Sequence, residues 1–237
     1  MAGPAASEPH AAAHVFVDDL HAAEVVEHDR HHLERVLRLR VGERVTVSDG
    51  RGGRRWCVLG PDLTLEPIGE VVRDPRPAPS ITVGFAVVKG DRPEWIVQKL
   101  TECGVDRIVP IRTDRSVVHW DADRAARRVE RLRVIAREAA MQSRRSWLPE
   151  VGEVVPVAAL AVLPGAALAD RDGAAPDLDH PTILVGPEGG WSPAERALDV
   201  ARVALGPTVL RAETAAVAAG VLLSALRAGL VGPAAPI

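Results

Sequence analysis

The sequence has little cysteine and no long apolar run. Its two cysteines, Cys57 and Cys103, lie far apart and form no CxxC pair, which argues against a disulfide framework and against a zinc site. No segment reaches about 18 consecutive apolar residues, so the sequence predicts no transmembrane helix. The first residues are rich in alanine and proline, but they lack the basic start and apolar core of a secretory signal. We therefore expect a cytoplasmic protein with a disordered tail over residues 1–13.

Motifs that mark several common chemistries are also missing. The chain has no GxxxxGK[ST] loop for a nucleoside triphosphate with magnesium, and no GxSxG elbow or Cys–His arrangement for a covalent hydrolase. Six histidines crowd the N-terminal third, but none is spaced with carboxylates as metal ligands are. We expect no metal site, and a sugar or nucleotide hydrolase is the least favoured class of enzyme.

The composition that remains is that of an ordinary globular protein. A length of 237 residues with 47% hydrophobic and 26% charged residues suits one large domain or two smaller ones. Three prolines alternate within residues 73–80, where they disfavour both helix and strand pairing. We assign residues 14–74 to a first domain, 75–80 to a linker and 81–237 to a second domain.

The first domain has the pattern of a small β-rich module. Apolar and polar residues alternate over residues 14–19 and 43–50, as in half-buried strands. A Gly-rich turn and the segment RRWCVLG then predict a hairpin, and LTLEPIGEVV predicts a further strand. Residues 31–40 carry apolar side chains at helical spacing, which predicts one helix between the first two strands.

The second domain alternates short apolar strands with helical segments, which predicts an α/β fold built of βα units. The predicted strands cover residues 81–88, 105–111, 167–170, 182–186 and 203–206. The predicted helices cover residues 92–104, 121–143, 156–163, 193–202 and 214–228.

The middle of the chain is basic although the whole chain has a net charge of −3. Residues 76–150 carry 15 basic and 10 acidic side chains, and many of the arginines fall in the predicted helix 121–143. Such a helix suits phosphate binding, and a solvated helix surface gives the same pattern. Both interpretations stay open at this point.

The segment TILVGPEGGWSPAE, residues 182–195, is the strongest local signal for a site. A strand ends at Gly186, a loop with Gly189 and Gly190 lets a ligand approach the backbone, and a side chain at position 189 would enter that space. Ser192 and Glu195 form a capping-box pattern that starts the next helix. A tight connection whose glycines only make the turn is the alternative.

A second corner has the same form. Leu205-Gly206-Pro207 ends a strand as Val185-Gly186-Pro187 does, so the two corners suggest one cleft at a common sheet edge. The helix that follows opens with Arg211, Glu213 and Thr214 and could bind a polar ligand at its amides. Its small residues favour close packing, between subunits or in a core. The residues concerned are Ala215, Ala216, Ala218, Ala219 and Gly220.

Taken together, these segments resemble the RsmE family of bacterial 16S rRNA methyltransferases, which methylate uracil N3. The resemblance runs through HHLERVLRLRVGE, KGDRPEWIVQKLTECGVDRIVPI, RSVV, EAAMQSRR, LVGPEGGWSPAE and LGPTVLRAETA, in order along nearly the whole chain. Two positions depart from the family pattern: Ala212 stands where threonine is usual, and Met141 where glutamate is common.

The resemblance implies a PUA-like β-barrel that binds RNA, followed by a SPOUT methyltransferase domain with a deep trefoil knot. It also implies a homodimer, 16S rRNA within the small ribosomal subunit as substrate, and S-adenosylmethionine as cofactor. The cofactor-binding residues it implies are Leu184, Val185, Gly186, Pro187, Glu188, Gly189, Gly190, Leu205, Gly206, Val209, Leu210, Arg211, Glu213, Thr214 and Ala215.

The chemistry of the implied reaction requires a group that handles the proton of uracil N3, or a cation that stabilises the uracil anion. We nominate Glu188 and Arg211 for these roles. The RNA-binding candidates are Arg35, Arg38, Arg40, Lys89, Arg115, Gln142, Ser143, Arg144 and Arg145. Arg144 and Arg145 are expected to be replaceable without damage to the core. A noncatalytic RNA-binding protein is the alternative function.

Overall fold

The computed structural model describes residues 11–25, 39–118 and 120–232. The chain divides into two compact units. Among the described residues, the first contains those up to Arg76 together with Arg144–Trp147, and the second contains those from Pro77 to Ser143 and from Leu148 onward. The change from one unit to the next after Arg76 falls within the proline-rich segment.

The first unit is built on a sheet that has four strands among its described residues. The strands are β1 (Ala13–Phe16), β2 (Arg44–Ser48), β3 (Gly53–Leu59) and β4 (Leu65–Arg73), in that order across the sheet. β1 pairs in parallel with β2, whereas β2–β3 and β3–β4 are antiparallel. The predicted hairpin and strands are confirmed. Most of the predicted helix 31–40 lies outside the described residues.

Two features of this unit differ from the sequence-based expectations. Ala11 is buried and Ala13 begins β1, so the last residues of the predicted tail belong to the sheet unit. Arg144–Trp147, which we had placed in the second domain, also belongs to the first unit. Trp147 forms an isolated β-bridge with Arg51. Its ring occupies the space that a side chain at Gly52 would need, since a Cβ on Gly52 would lie 2.5 Å from Cε2 of the indole.

His14 connects this segment to β1 and β2. Its Nε2 lies 3.0 Å from the carbonyl oxygen of Arg145, and its Nδ1 lies 2.8 Å from Oγ1 of Thr46. Burial lowers the pKa of His14 from 6.5 to about 4, and the charges of Arg144 and Arg54 act in the same direction. The imidazole is therefore neutral at physiological pH.

The second unit contains a parallel sheet with the strand order β11-β9-β10-β5-β6-β7 among the described residues, and β8 also pairs with β6. The strands are β5 (Thr82–Ala86), β6 (Arg107–Arg112), β7 (Glu150–Val151), β8 (Val155–Pro156), β9 (Ala166–Ala174), β10 (Thr182–Val185) and β11 (Ala201–Val203). The helices are α1 (Arg92–Glu102), α2 (Ala122–Gln142), α3 (Val157–Ala161), α4 (Pro193–Arg196) and α5 (Ala212–Arg227). The predicted α/β fold is confirmed.

Apolar side chains cover both faces of this sheet, as expected for continuous apolar strands in a parallel sheet. On one face, Val83 and Phe85 pack with Ile96 of α1 and Leu223 of α5. On the other face, Leu184 belongs to a smaller cluster of residues that includes α3 and Trp191. Helices α1 and α5 are in contact, and a Cβ on Gly220 would lie 2.6 Å from Cδ2 of Leu100.

One of these helices is shorter than predicted, and another is partly buried in the core. The predicted helix 193–202 ends at Arg196, and β11 already begins at Ala201. Ala216, Ala219 and Gly220 of α5 are buried in the core of their own chain, whereas Ala215 and Ala218 are half-buried, and the role of this helix in a dimer stays a prediction. A large side chain at Ala219 would therefore damage the core and would not report on contacts between subunits.

Within the described residues, no helix combines the length and apolar character needed to cross a membrane.

Candidate active site

The carboxyl ends of three adjacent parallel strands form the candidate site. β9 lies between β10 and β11 in the sheet, so the loops after Val185 and Val203 flank β9 at the same edge. Ligands of open α/β sheets bind at this edge. The two Gly-Pro corners that we had predicted to share a cleft are brought together here.

The cleft has a volume of about 250 Å³. It is lined by many of the residues that the resemblance assigns to the cofactor. These are Val185, Gly186, Pro187, Glu188, Gly190, Leu205, Gly206, Val209, Leu210 and Ala215. The lining combines apolar side chains from the second corner with charged groups near the first, so it suits a ligand that has an apolar part and a polar part.

Five predicted residues do not line this cleft. Leu184 is fully buried in the core. Gly189, Arg211, Glu213 and Thr214 lie outside the lining as well. A Cβ on Gly189 would lie 3.3 Å from Cβ of Arg115, so a side chain there would press on Arg115 and would not enter the cleft. Gly190 and Gly206 do line the cleft together with Gly186, and a Cβ on Gly190 or Gly206 would meet no protein atom within 4 Å.

Sequence reasoning missed a third contribution to the lining, which comes from β9. We had predicted a strand near Asp170 but no functional role for it, because this strand lacks a glycine corner. Its position between the two corner strands follows from the strand order, which the sequence does not show. The lining residues that were missed are Ala169, Asp170, Arg171, Trp191, Arg196, Thr208 and Ala212.

Trp191 holds the first corner against β9. Its indole Nε1 donates a hydrogen bond of 2.9 Å to the carbonyl oxygen of Ala169. A Cβ on Gly186 would lie 3.0 Å from Cε2 of the indole, so the glycine permits the close approach of the ring. This side chain is almost fully buried and fixes the floor of the cleft.

Hydrogen bonds also connect the first corner to the loop that follows β6. Oε1 of the buried Glu195 accepts from the backbone N–H of Asp114 at 2.9 Å, and Oε2 accepts from the backbone N–H of Ser192 at 2.8 Å. The hydroxyl of Ser192 donates to Asp114 and accepts from the backbone N–H of Glu195, which confirms the predicted capping box. Glu195 therefore acts as a fixed structural carboxylate between two loops.

Two arginines outside the Gly-rich loop bind it, one from the loop after β6 and one from the start of α1. Arg115 donates a hydrogen bond of 3.1 Å to the carbonyl oxygen of Gly189. Arg92, at the start of α1, lies 3.2 Å from Oε1 of Glu188 and 3.6 Å from Oε1 of Glu213. Arg92 therefore connects the Gly-rich loop to the start of α5. Arg211 is exposed at that helix start and has no ion pair among the described residues.

The RNA-binding candidates fall in both units. Lys89, Arg115 and Gln142 are exposed in the second unit, and the Ser143 hydroxyl donates to the carbonyl oxygen of Ala139 at 2.7 Å. Arg40, Arg144 and Arg145 belong to the first unit. Arg35 and Arg38 lie outside the described residues.

Arg144 has a structural role that the sequence did not indicate. Its guanidinium donates a hydrogen bond of 2.7 Å to the carbonyl oxygen of Ala11, and its φ of 58° is in the left-handed region. Replacing Arg144 would remove this contact within the first unit, and that the core stays intact on its replacement remains a prediction. Two arginines of the Arg-rich helix α2 are also engaged within their own unit. Arg128 and Arg131 form ion pairs with Glu94, so part of the positive charge of this helix is neutralised there.

Among the residues that the structure describes, no group of three or more His, Cys, Asp or Glu side chains is arranged to hold a metal ion.

Comparisons with known proteins show which class of protein has this domain and cleft. A family model for an RNA methyltransferase domain matches residues 75–224, which cover most of the second unit and the whole cleft. A model for an RNA methyltransferase PUA domain matches residues 27–60. The α/β unit with its Gly-lined cleft is thus the methyltransferase domain of an RNA methyltransferase.

Individual relatives and solved structures identify the family within this class. The chain is 36% identical to ribosomal RNA small subunit methyltransferase E of Mycobacterium tuberculosis (87% of this chain, 89% of the relative), and 30% identical to that of Bacillus subtilis (78% and 82%). The structure of the enzyme of the same name from Neisseria gonorrhoeae, bound to S-adenosyl methionine, has 30% identity and a TM-score of 0.74 over 92% of this chain and 98% of that chain. The chain belongs to the ribosomal RNA small subunit methyltransferase E family, which is the RsmE family that its motifs resemble.

Proposed function

We propose that this protein transfers a methyl group from S-adenosylmethionine to N3 of a uridine in 16S ribosomal RNA. The observation that carries the proposal is the cleft at the carboxyl ends of β9, β10 and β11, in a chain of this family. The substrate within the small ribosomal subunit and the atom methylated come from the family resemblance.

The residues of the cleft fit the proposed cofactor. Leu205, Val209 and Leu210 give an apolar wall suited to an adenine ring, and Asp170 and Arg196 provide charged groups for polar ends. Oδ2 of Asp170 is buried, lies 3.0 Å from Nη1 of Arg196 and has no hydrogen-bond partner within the described part of the chain, so the cleft has an acceptor that a ligand can satisfy. When bound, the cofactor supplies a methyl group on a positively charged sulfur, already activated for transfer.

The protein's own part in the reaction is to orient the uracil and to manage the charge at N3. Glu188 lines the cleft, and Arg92 holds its carboxylate in place. We assign Glu188 as the acceptor of the N3 proton and Arg211 as the cation that stabilises the uracil anion. Orientation of the two reactants supplies the remaining rate enhancement, since methyl transfer requires an in-line approach.

The domain assignments support this function. We propose that residues 14–74 form a PUA-like barrel that binds RNA, that 75–80 are a linker, and that 81–237 form a SPOUT domain with the trefoil knot of that superfamily. The proposed RNA-binding residues within the described chain are Arg40, Lys89, Arg115, Gln142, Ser143, Arg144 and Arg145. We further propose a cytoplasmic homodimer, as the resemblance implies.

A methyl-transfer assay tests the proposal. The purified protein is incubated with labelled S-adenosylmethionine and 16S rRNA from a strain that lacks the gene, either free or in the small subunit. We expect one methyl group per RNA, recovered as 3-methyluridine after digestion, and little transfer by Glu188→Gln. RNA binding without any transfer would favour the noncatalytic alternative, and a different methylated nucleoside would contradict the assignment of N3.

A further inference from the structure

Asp170 carries a buried carboxylate whose contact with a particular group of the cofactor is not yet assigned. It lies on β9 in the lining of the cleft, and only 6% of its side chain is exposed. Its Oδ1 lies 3.5 Å from the backbone nitrogen of Asp172, a long hydrogen bond. Its Oδ2 has no hydrogen-bond partner among the described residues. Buried carboxylate oxygens ordinarily accept hydrogen bonds, so this atom has capacity to bind a ligand.

Arg196 is the charged neighbour of this oxygen. It ends α4, its Nη1 lies 3.0 Å from Oδ2 of Asp170, and 46% of its side chain is exposed. The approach is close enough for charge attraction but lacks the geometry of a hydrogen bond. Both residues line the cleft, so a negative and a positive group stand side by side on its wall.

We propose that Asp170 and Arg196 bind the amino-acid end of the cofactor, which is an inference that rests on the proposed function. The α-ammonium group has three N–H donors for the carboxylate of Asp170, and the α-carboxylate accepts from the guanidinium of Arg196. A ribose diol is uncharged and gains less from an adjacent cation than a carboxylate does, so the paired charges favour the zwitterion. Asp170 is a positioning residue in this account, because it fixes the sulfur through the chain attached to it.

Two probes separate the amino-acid end from the rest of the cofactor. S-adenosylhomocysteine has the amino-acid end, and 5′-methylthioadenosine has the same adenine, ribose and thioether sulfur without it. Calorimetric titration of the full-length protein gives an affinity for each. In Asp170→Asn we expect the affinity for S-adenosylhomocysteine to fall about 10- to 100-fold, the range for loss of a charge-assisted hydrogen bond, with little change for 5′-methylthioadenosine.

Two further variants make the result specific. Asp172→Asn removes the same charge from an exposed residue of the same strand outside the lining, and it should bind both probes as the parent does. Arg196→Gln changes a half-exposed side chain and tests the other half of the pair if Asp170→Asn is unstable. Arg196→Gln should lower the affinity for S-adenosylhomocysteine but not for 5′-methylthioadenosine, by a smaller factor than Asp170→Asn does.

Three results would overturn the inference. If Asp170→Asn lost affinity for both probes by the same factor, the carboxylate would be placed at the ribose. Unchanged affinities with a lower melting temperature would make the pair purely structural. Equal affinity of the parent for both probes would show that the amino-acid end contributes nothing. If the parent binds neither probe, the proposed function fails as well, and that outcome is distinct from the other three.

Discussion

Lowering the pH should destabilise the N-terminal unit through His14. The carbonyl oxygen of Arg145 can only accept, so Nε2 carries the proton of the neutral ring and Nδ1 accepts from the hydroxyl of Thr46. Both ring nitrogens are therefore satisfied without a charge. Protonation would place an imidazolium in a buried site near Arg144 and Arg54, which lowers the pKa of His14 to about 4.

The size of the effect follows from the two pKa values. The unfolded chain binds the proton near pH 6.5 and the folded chain only near pH 4, so stability is lost as the pH falls through this interval and levels off below it. The full loss is about 3 kcal/mol, and about 2.5 kcal/mol of it falls between pH 7.5 and pH 4.5.

Urea unfolding of the parent and of His14→Gln at several pH values measures this loss. The variant lacks the titrating ring, so the difference between the two proteins isolates His14 from other groups. We expect the parent to lose about 2.5 kcal/mol more than the variant between pH 7.5 and pH 4.5. Parallel pH profiles, or an NMR titration of His14 near its ordinary pKa, would refute the reasoning.

Two further predictions concern the methyltransferase domain. Glu195→Ala should lower the free energy of unfolding by roughly 3 kcal/mol or more, because it leaves the N–H groups of Asp114 and Ser192 without their acceptor. Urea unfolding measures this loss, and a loss below about 1 kcal/mol would contradict the prediction. Gly220→Val should lower the free energy of unfolding by about 1–3 kcal/mol, since the valine side chain would overlap Leu100. An unchanged melting temperature would contradict the close contact between α1 and α5 at this position.

The periodicity of the sequence predicted most of the fold. Alternating residues located the β2–β3 hairpin, and continuous apolar runs located β5, β6 and β10. β7 and β8 have only two residues each, too few to show a period. The predicted helix 193–202 was too long because residues 197–200 have helical composition, but β11 must start at Ala201 to pair with β9.

The candidate site was only partly predictable, since local signals found the two glycine corners and nothing local marked Asp170. That residue lines the cleft because β9 lies between β10 and β11, an order set by the packing of the whole sheet. Nothing local marked the contact of Arg144 either. Its place in an Arg-rich stretch suggests RNA binding, which stays a prediction, and its hydrogen bond to Ala11 connects residues far apart in the sequence.

Calorimetric titration with S-adenosylhomocysteine tests the central claim, that the cleft binds the cofactor. Ala215 is half-buried and lines the cleft, so Ala215→Phe should fill part of it. Ala161 is also half-buried against the core but lies outside the lining, and Ala161→Phe is the matched control. The account predicts that the parent and Ala161→Phe bind and that Ala215→Phe, folded by circular dichroism, binds at least about tenfold more weakly, a difference of about 1.4 kcal/mol. Equal affinity of Ala215→Phe and the parent would contradict the assignment of the cleft.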